Sequence, residues 1–219
     1  MNNMVLQAKK ELGGLTKATG LKTREVRKIS SRLFNSLDNK DINNVFLICE
    51  ELLKEDDWAL SVIAYDWAYR VRRQYNNETY DIFYRWLEQY VRGWGDCDDF
   101  CTHAFGDLIR QDKKLFNKIL SWTSHQEFWV RRAAAVVLIP AISHEDYEGI
   151  APFMISDLLM KDEHDLVRKG YGWMLKVLSL KEEAKVYSYL ERHKSVMPRV
   201  AFRYALEKMD KERKKELMK

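Results

Sequence analysis

The hydrophobic positions of the chain follow a helical period. Long stretches rich in Leu, Ala, Glu, Lys and Arg place apolar residues three or four positions apart, which is the spacing of one face of an α-helix. Glycine and proline are scarce, with 9 and 3 residues. This pattern fits helices joined by short turns much better than strands, so it predicts an all-α protein.

One ten-residue segment has a weaker copy downstream. Positions 129–138 read WVRRAAAVVL and positions 166–175 read LVRKGYGWML. A single repeat of this size cannot bury its apolar face alone, so neighbouring repeats must stack. The sequence therefore predicts an α-α superhelix of tandem HEAT-like helical repeats, with a concave surface on which a ligand is expected.

Three further segments fit the same register. The five register positions, Ala59, Cys97, Val130, Val167 and Pro198, lie 38, 33, 37 and 31 positions apart. These intervals suit two-helix units that are shorter than typical HEAT repeats, so each register position marks the second helix of a unit. The first helices are predicted at residues 42–54, 78–90, 113–121, 147–159 and 181–192.

Turn and cap signals separate the predicted helices. Gly93 and Gly95 bracket Trp94 at a break between two helices. No stretch is rich enough in Pro, Gly or Ser to act as a linker, so we expect residues 1–219 to form a single HEAT-like repeat domain. The polar residues expected to cap helix N-termini are Asp41, Ser143 and Ser179.

Composition indicates an ordered protein without a membrane segment. The 219 residues are 46% hydrophobic, as expected of a globular chain. The N-terminus lacks a signal-peptide pattern, and the longest apolar run, residues 133–142, is interrupted by Pro140 and too short to span a bilayer. Cys49, Cys97 and Cys101 suggest no disulfide framework and suit a reducing compartment. We expect a soluble, cytoplasmic protein.

The charge of the chain is only mildly basic. A net charge of +4 and a pI near 8.8 do not by themselves establish a polyanionic partner. Basic residues cluster at positions 22–32 and 208–219 and around Arg70, Arg72 and Arg73. These three arginines could grip phosphates, but a solvated helix face is the simpler interpretation.

Reactive side chains are densest at positions 94–103. Cys97 and Cys101 could share a helix face, but no second ligand pair at metal-binding spacing accompanies them. We therefore expect two buried packing cysteines, and neither a metal nor a cofactor. The chain has no GxSxG elbow, no glycine-rich phosphate loop and no HExxH motif. What remains is a carboxylate near tryptophans and an arginine, which suits stabilisation of a cationic transition state.

The tryptophans other than Trp94 divide into two groups. Trp129 and Trp173 are expected near the concave side by their place in the repeats. On that side Asp99 and Arg132 share one register position on adjacent repeats, so they either pair to stabilise the stack or face a ligand together. The tryptophans expected to pack in the core are Trp58, Trp67, Trp86 and Trp122.

Tryptophan, arginine and aspartate recur in three short motifs. These motifs are Trp94-x-Asp96-x-x-Asp99, Trp129-x-x-Arg132-Ala133-Ala134 and Gly172-Trp173. In order and spacing they resemble the signature of the AlkD-like DNA alkylation repair proteins. Residues 20–27, GLKTREVR, are similar to the N-terminal Gly-Ile-x-Thr-Pro-x-x-Arg motif of that family, so the resemblance spans nearly the whole chain.

The resemblance implies a C-shaped superhelix that binds duplex DNA, here as a monomer. Such proteins excise cationic N3- and N7-alkylpurines without a metal or a base-flipping pocket, unlike enzymes that extrude the base. By position, Asp99 matches the carboxylate that stabilises the oxocarbenium-like sugar and positions water. Arg132 matches a backbone or sugar contact, and Trp173 an aromatic wall of the lesion cleft. Trp94 and Trp129 are further candidate contacts to substrate or DNA.

The sequence departs from the active members at two places. Gly95 stands where those proteins carry a second tryptophan, and Trp94 is the candidate to replace it. Only residues 1–19 precede the N-terminal motif, and Gly13 and Gly14 predict that a helix there is brief, because each glycine costs roughly 1 kcal/mol relative to alanine. The chain therefore looks like a subgroup lacking the N-terminal substrate-recognition helix.

These departures keep other functions open. One alternative is a catalytically inactive family member that binds DNA or protein as a helical repeat scaffold. Another is a protein-binding solenoid, which a mostly neutral, apolar concave face would support. A DNA glycosylase remains the first hypothesis because Asp99 and Arg132 are retained.

Overall fold

The regular secondary structure in the described part of the chain is all helical. The computed structural model describes residues 3–16 and 22–218, and no strand occurs among them. The all-α class predicted from the periodicity is therefore confirmed. None of the helices in these two ranges has the length and apolar character needed to cross a bilayer.

The helices divide into two compact units, one ending at Leu108 and one beginning at Ile109. The single-domain organisation predicted from the sequence stays a prediction. The helices are α1 (Asn3–Thr16), α2 (Thr23–Asn35), α3 (Ile42–Leu53), α4 (Trp58–Arg70), α5 (Thr79–Tyr90), α6 (Trp94–Thr102), α7 (Ala104–Gln111), α8 (Phe116–Trp122), α9 (Phe128–Val136), α10 (Ile139–Ser143), α11 (Pro152–Leu159), α12 (Asp165–Ser179), α13 (Glu183–His193), α14 (Arg199–Leu206) and α15 (Lys211–Met218).

The first unit is held together by an aromatic core. Helix α4 packs against α2, α3 and α6. Tyr65 on α4 stacks on Phe100 of α6 with ring centroids 4.5 Å apart, and Phe100 in turn meets Phe83 of α5 edge-on at 5.2 Å. All three rings are fully buried. Because offset and edge-to-face pairs add to the hydrophobic gain, this cluster fixes α6 against α4 and α5.

The second unit is organised around α12. This helix packs against α9 on one side and α14 on another, and also contacts α11 and α13. Gly172 allows α12 and α14 to approach closely, since a Cβ atom built there would lie only 2.7 Å from the Ala201 carbonyl oxygen. The backbones of α12 and α14 therefore meet at a distance that only glycine permits.

The two-helix repeats predicted from the register are present. Four register positions lie in the second helix of a repeat, namely α4, α6, α9 and α12. The fifth, Pro198, is the N-cap residue of α14. The first helices correspond to α3, α5, α8, α11 and α13. Helix α11 begins at Pro152 rather than at residue 147, because Gly149 turns the chain with a φ of +84° and proline favours the first helical turn.

One of the three predicted N-caps is confirmed. The Asp41 side chain accepts a hydrogen bond from the Asn43 backbone N–H at 2.9 Å and caps α3. The N-cap predictions for Ser143 and Ser179 were wrong, because these serines are the last residues of α10 and α12. The Ser179 hydroxyl donates to the Lys176 carbonyl at 2.8 Å, so it bonds within its own helix.

The N-terminal segment differs from the brief helix predicted. Helix α1 has 14 residues and continues through Gly13 and Gly14. Val5 and Ala8 are fully buried, and α1 packs against α2 and α3. Tertiary packing therefore outweighs the low helix propensity of the two glycines. The first two residues of the motif at 20–27, Gly20 and Leu21, lie outside the described residues.

Candidate active site

Helix α6 divides the predicted reactive cluster into a buried face and a cleft face. Cys97, Phe100 and Cys101 are fully buried, as the packing interpretation of the two cysteines predicted. Asp99 and Trp94 line a cleft on the other side of the helix. The helix begins at Trp94 with Gly93 at its N-cap, so Gly93 marks the predicted break while Gly95 lies inside the helix.

The cleft belongs entirely to the first unit. Its volume is about 520 Å³. Its side chains combine aromatic, hydroxyl and carboxylate groups contributed by α2, α4 and α6. The residues lining it are Thr23, Trp58, Val62, Gly93, Trp94, Gly95, Asp96, Asp98, Asp99 and Thr102.

One carboxylate oxygen of Asp99 is anchored by hydrogen bonding, and the other has no partner among the described residues. Its Oδ1 accepts a hydrogen bond from Nη2 of Arg27 and lies 3.3 Å from Nδ1 of His103. Nδ1 of His103 is also 2.9 Å from the Asp99 carbonyl oxygen, so this nitrogen carries the proton. Oδ2 is buried and has no hydrogen-bond partner among the described residues. A buried oxygen without a partner is costly for stability, which makes it a candidate for a functional role.

A charged network from α2 and α4 supports Asp99 from behind. Nη1 of Arg27 donates to Oδ1 of Asp66 at 3.0 Å. The other oxygen of Asp66 accepts from the Ser30 hydroxyl at 2.5 Å and from Nε of Arg70 at 2.8 Å. Arg27 therefore bridges two carboxylates, and its planar guanidinium suits this bidentate arrangement. The network fixes the orientation of Asp99 relative to α2 and α4.

The environment shifts the acidity of two carboxyl groups in the cleft. Burial raises the pKa of Asp99, the positive charges of Arg27 and His103 oppose that shift, and the negative charge of Asp66 adds to it. Burial also raises the pKa of Asp96, against hydrogen bonds from the backbone N–H groups of Arg92 and Gly93. Desolvation thus exceeds the effect of nearby charge at both positions.

Two tryptophans are exposed at the cleft. Trp94 is 63% exposed and Trp58 is 40% exposed. The prediction that Trp58 is a core residue was wrong, because Trp58 is the first residue of α4 and its side chain is exposed. The core prediction is confirmed for the three other tryptophans in that group, Trp67, Trp86 and Trp122.

The remaining predicted site residues belong to the second unit. Trp129 and Trp173 are half-buried, and the Trp129 ring lies 4.2 Å from that of Phe128. Arg132 is only 5% exposed, and its Nη1 donates to the Leu166 carbonyl. Asp99 and Arg132 each have partners within their own unit.

The basic cluster at the end of α4 and in the turn that follows is only partly a solvated face. The Arg72 guanidinium lies 4.3 Å from the centre of the Tyr69 ring, and Arg70 belongs to the Asp66 network. Both side chains are therefore held by specific contacts, and the solvated-face prediction was wrong for them. It is right for Arg73, which is exposed in a short 3₁₀ turn, Arg72–Gln74.

The chemistry of the described side chains gives no metal centre. No group of three or more His, Cys, Asp or Glu residues in the described ranges could hold an ion. The cleft instead combines a carboxylate that has one unpartnered oxygen with exposed aromatic side chains. Such a set can stabilise positive charge on a bound ligand.

Sequence reasoning missed two residues of this site. Arg27 lies 72 positions before Asp99, and its only sequence signal is its place as the last residue of the N-terminal motif. Trp58 carries no motif, and its apolar neighbours favoured a core position. Only the packing of α4 beside α6 brings Trp58 to the cleft.

Comparison with known proteins gives one family and one fold. The family model described as DNA alkylation repair enzyme matches residues 13–209. A solved structure, the predicted DNA alkylation repair enzyme from Enterococcus faecalis, is similar with a TM-score of 0.73 and 16% identity, over 94% of this chain and 96% of that chain. At this identity the likeness concerns the fold alone, and it confirms the predicted superhelical repeat fold. No curated protein sequence matches the chain.

Proposed function

The chain belongs to the DNA alkylation repair enzyme family, and from this membership we propose that it is a DNA glycosylase that hydrolyses the N-glycosidic bond of cationic N3- and N7-alkylpurines. Its proposed partner is duplex DNA carrying such lesions, bound by a monomer in the cytoplasm. Asp99 is the proposed catalytic residue. Trp94, Trp129, Arg132 and Trp173 are the proposed contacts to substrate or DNA.

One observation carries the proposal, namely that Asp99 lines the cleft with one carboxylate oxygen that has no hydrogen-bond partner among the described residues. Oδ2 has no hydrogen-bond partner among the described residues, while Arg27 holds Oδ1. The carboxylate is therefore fixed in direction, and its Oδ2 has no hydrogen bond within the described residues that a ligand would have to replace. A pre-oriented negative charge in a partly desolvated site stabilises developing positive charge better than water does.

The reaction needs that stabilisation at the sugar. When the bond between C1′ and the purine nitrogen breaks, its electron pair goes to the cationic purine, which leaves as a neutral base. Positive charge then develops on the sugar ring, and the Asp99 carboxylate is proposed to stabilise it. A water molecule adds to C1′ and loses its proton to the carboxylate or to solvent. The alkylated purine needs no general acid, because its positive charge already makes it a good leaving group.

The proposed contacts have unequal support. Trp94 lines the same cleft as Asp99 and is 63% exposed, so its ring face is available to a ligand. Trp129 and Trp173 keep part of their surface exposed. Arg132 is buried, and its proposed contact with the DNA backbone or sugar rests on its place in the motif.

The test is base release under single-turnover conditions. Purified protein is incubated with a duplex that carries N7-methylguanine, beside the Asp99→Asn variant. Release by the natural protein that is lost in the variant is the expected result. No release by folded natural protein would overturn the glycosylase proposal.

A second function is supported by the Arg27–Asp99 pair. Because this ion pair also links α2 to α6, Asp99 has a structural role that needs no substrate. The alternative proposal is a catalytically inactive family member that acts as a DNA-binding or protein-binding scaffold. Duplex binding that weakens with salt, without base release, would favour the DNA-binding form.

A further inference from the structure

Trp58 occupies an unusual position for a tryptophan. Asp57 caps α4 by accepting hydrogen bonds from the backbone N–H groups of Ala59 and Leu60 at 2.9 and 3.0 Å, which fixes Trp58 as the first residue of the helix. The indole is 40% exposed, whereas Trp67 on the same helix is fully buried. A large aromatic side chain held partly in water on a rigid helix end is available for ligand contact.

Gly95 leaves the space that the Trp58 indole uses. A Cβ atom built at Gly95 would lie 3.7 Å from Nε1 of Trp58, which is ordinary van der Waals contact. A longer side chain at this position would extend into the indole and displace it. The two residues, from α6 and α4, therefore share one wall of the cleft, and the glycine determines that Trp58 forms it.

The charge of the cleft favours a cationic ligand. Three carboxylates line it, those of Asp96, Asp98 and Asp99, and no lysine, arginine or histidine does so among the described residues. Arg27 reaches Oδ1 of Asp99 from behind and leaves Oδ2 without a partner. An indole face attracts a cation through its quadrupole, so the exposed ring and the carboxylates favour the same ligand charge.

We propose that Trp58 is a specificity-determining residue, which forms the aromatic wall of the cleft and distinguishes a cationic alkylated purine from a neutral one. This inference rests on the proposed function for the nature of the ligand. It adds an aromatic contact from α4 to the one that Trp94 of α6 offers in the same cleft. Trp58 acts on binding of the positively charged base, while Asp99 acts on the sugar.

The experiment compares two duplexes that differ only in charge. One carries N7-methylguanine on a 2′-fluoro sugar, which resists cleavage, and the other carries its neutral isostere, 7-methyl-7-deazaguanine, on the same sugar. The ratio of the two dissociation constants is measured for the natural protein and for Trp58→Leu. We expect the natural protein to prefer the cationic duplex and Trp58→Leu to reduce that preference about tenfold, while affinity for the neutral duplex changes little.

Two further variants separate ring contact from general packing. Gly95→Leu places a side chain against the indole and is expected to reduce the same ratio. Leu47→Ala removes another exposed apolar side chain of the first unit, 68% exposed and outside this cleft, and is expected to keep the ratio of the natural protein. Circular dichroism of each variant establishes that it is folded.

The outcomes for the inference and for the proposed function are distinct, because the ratio requires no catalysis. An unchanged ratio in folded Trp58→Leu, or equal affinity of the natural protein for both duplexes, would overturn the role of Trp58. A natural protein that releases no base but loses its charge preference in Trp58→Leu would overturn the glycosylase proposal and support the role of Trp58.

Discussion

Arg27 and Asp99 are 72 positions apart in the sequence, yet Nη2 of the arginine donates a hydrogen bond to Oδ1 of the aspartate. The arginine lies on α2 and the aspartate on α6, and Asp66 of α4 accepts from the same guanidinium at 3.0 Å. The Arg27 guanidinium therefore connects α2 to both α4 and α6 through ion pairs. This contact favours the ionised form of Asp99 against the cost of burial.

Replacing the catalytic candidate is expected to abolish most base release. In Asp99→Asn the side chain keeps its size but loses the negative charge that is proposed to stabilise the sugar cation. We expect the single-turnover rate on an N7-methylguanine duplex to fall by at least about 100-fold. Asp98→Asn is the matched control, because Asp98 is a neighbouring carboxylate of the same cleft, and its effect should be much smaller. Equal losses in both variants would contradict a specific role for Asp99.

The rate of base release is expected to fall on the acid side. Burial raises the pKa of Asp99, and only the ionised carboxylate can stabilise the sugar cation. The rate should therefore rise with pH through the raised pKa and then level off. A pH–rate profile measured under single-turnover conditions checks this. The control variant Asp96→Asn should leave the pH at which the rate falls unchanged. A flat profile across the acid range would refute the assignment.

The raised pKa of Asp99 is also expected to make the folded protein more stable at low pH, where the rate of base release is expected to fall. Because the folded pKa of Asp99 is raised above its unfolded value, the folded state holds the proton more tightly. The resulting stabilisation is present below the unfolded pKa and is lost as the pH rises through the folded pKa. Urea unfolding of the natural protein and of Asp99→Asn across this range measures it. The natural protein should gain free energy of unfolding relative to the variant as the pH falls.

Removing Arg27 is expected to shift the acid-side fall in the rate of base release to higher pH. In Arg27→Gln the positive charge that lowers the pKa of Asp99 is lost, while burial remains, so the pKa should rise further. The free energy of unfolding should also fall by about 1–3 kcal/mol, because hydrogen bonds to two carboxylates are lost. Lys28→Gln is the control, since Lys28 is the next residue of α2 and forms an exposed pair with Glu25, worth about 0–1 kcal/mol. A pH profile that does not move in Arg27→Gln would show that the pair does not control the ionisation of Asp99.

Alanine is expected to have opposite effects at two helical glycines. In Gly172→Ala the new Cβ would lie 2.7 Å from the Ala201 carbonyl oxygen and 2.8 Å from Cβ of Tyr204, so α12 and α14 must separate at a cost of about 1–3 kcal/mol. In Gly14→Ala no atom of the described residues beyond its own helical turn lies within 4 Å of the new Cβ, so the higher helix propensity of alanine should stabilise the chain by up to about 1 kcal/mol. Thermal unfolding of both variants measures the difference. Stabilisation by both would mean that the contact between α12 and α14 relaxes freely.

The helical fold could be predicted from the sequence because its signals are local. Apolar residues at helical spacing determine which face of each helix is buried, and the register positions Cys97, Val130 and Val167 all lie in second helices of the units. Asp41 caps α3 as predicted, because the N-cap interaction spans only two residues. Ser143 and Ser179 have the same chemistry, yet they end their helices, since a serine hydroxyl also bonds to a carbonyl of the preceding turn.

The candidate site could be predicted only in part. The spacing of Trp94 and Asp99 predicts that both lie on one helix. In the structure both lie on α6 and line one cleft. The exposure of Trp58 could not be predicted, because apolar sequence neighbours are compatible both with a core position and with an exposed helix end.

The sequence by itself determined the helices, the repeat units and the family of this protein, since these follow from residue spacing within tens of positions. Only the tertiary structure decided that Arg27 holds Oδ1 of Asp99, that Oδ2 stays without a partner, and that Gly95 leaves room for Trp58. Those relationships join α2, α4 and α6, which are separate in the sequence. The energy of such contacts depends on distance, burial and direction between helices, and none of these quantities is written in the local pattern of the chain.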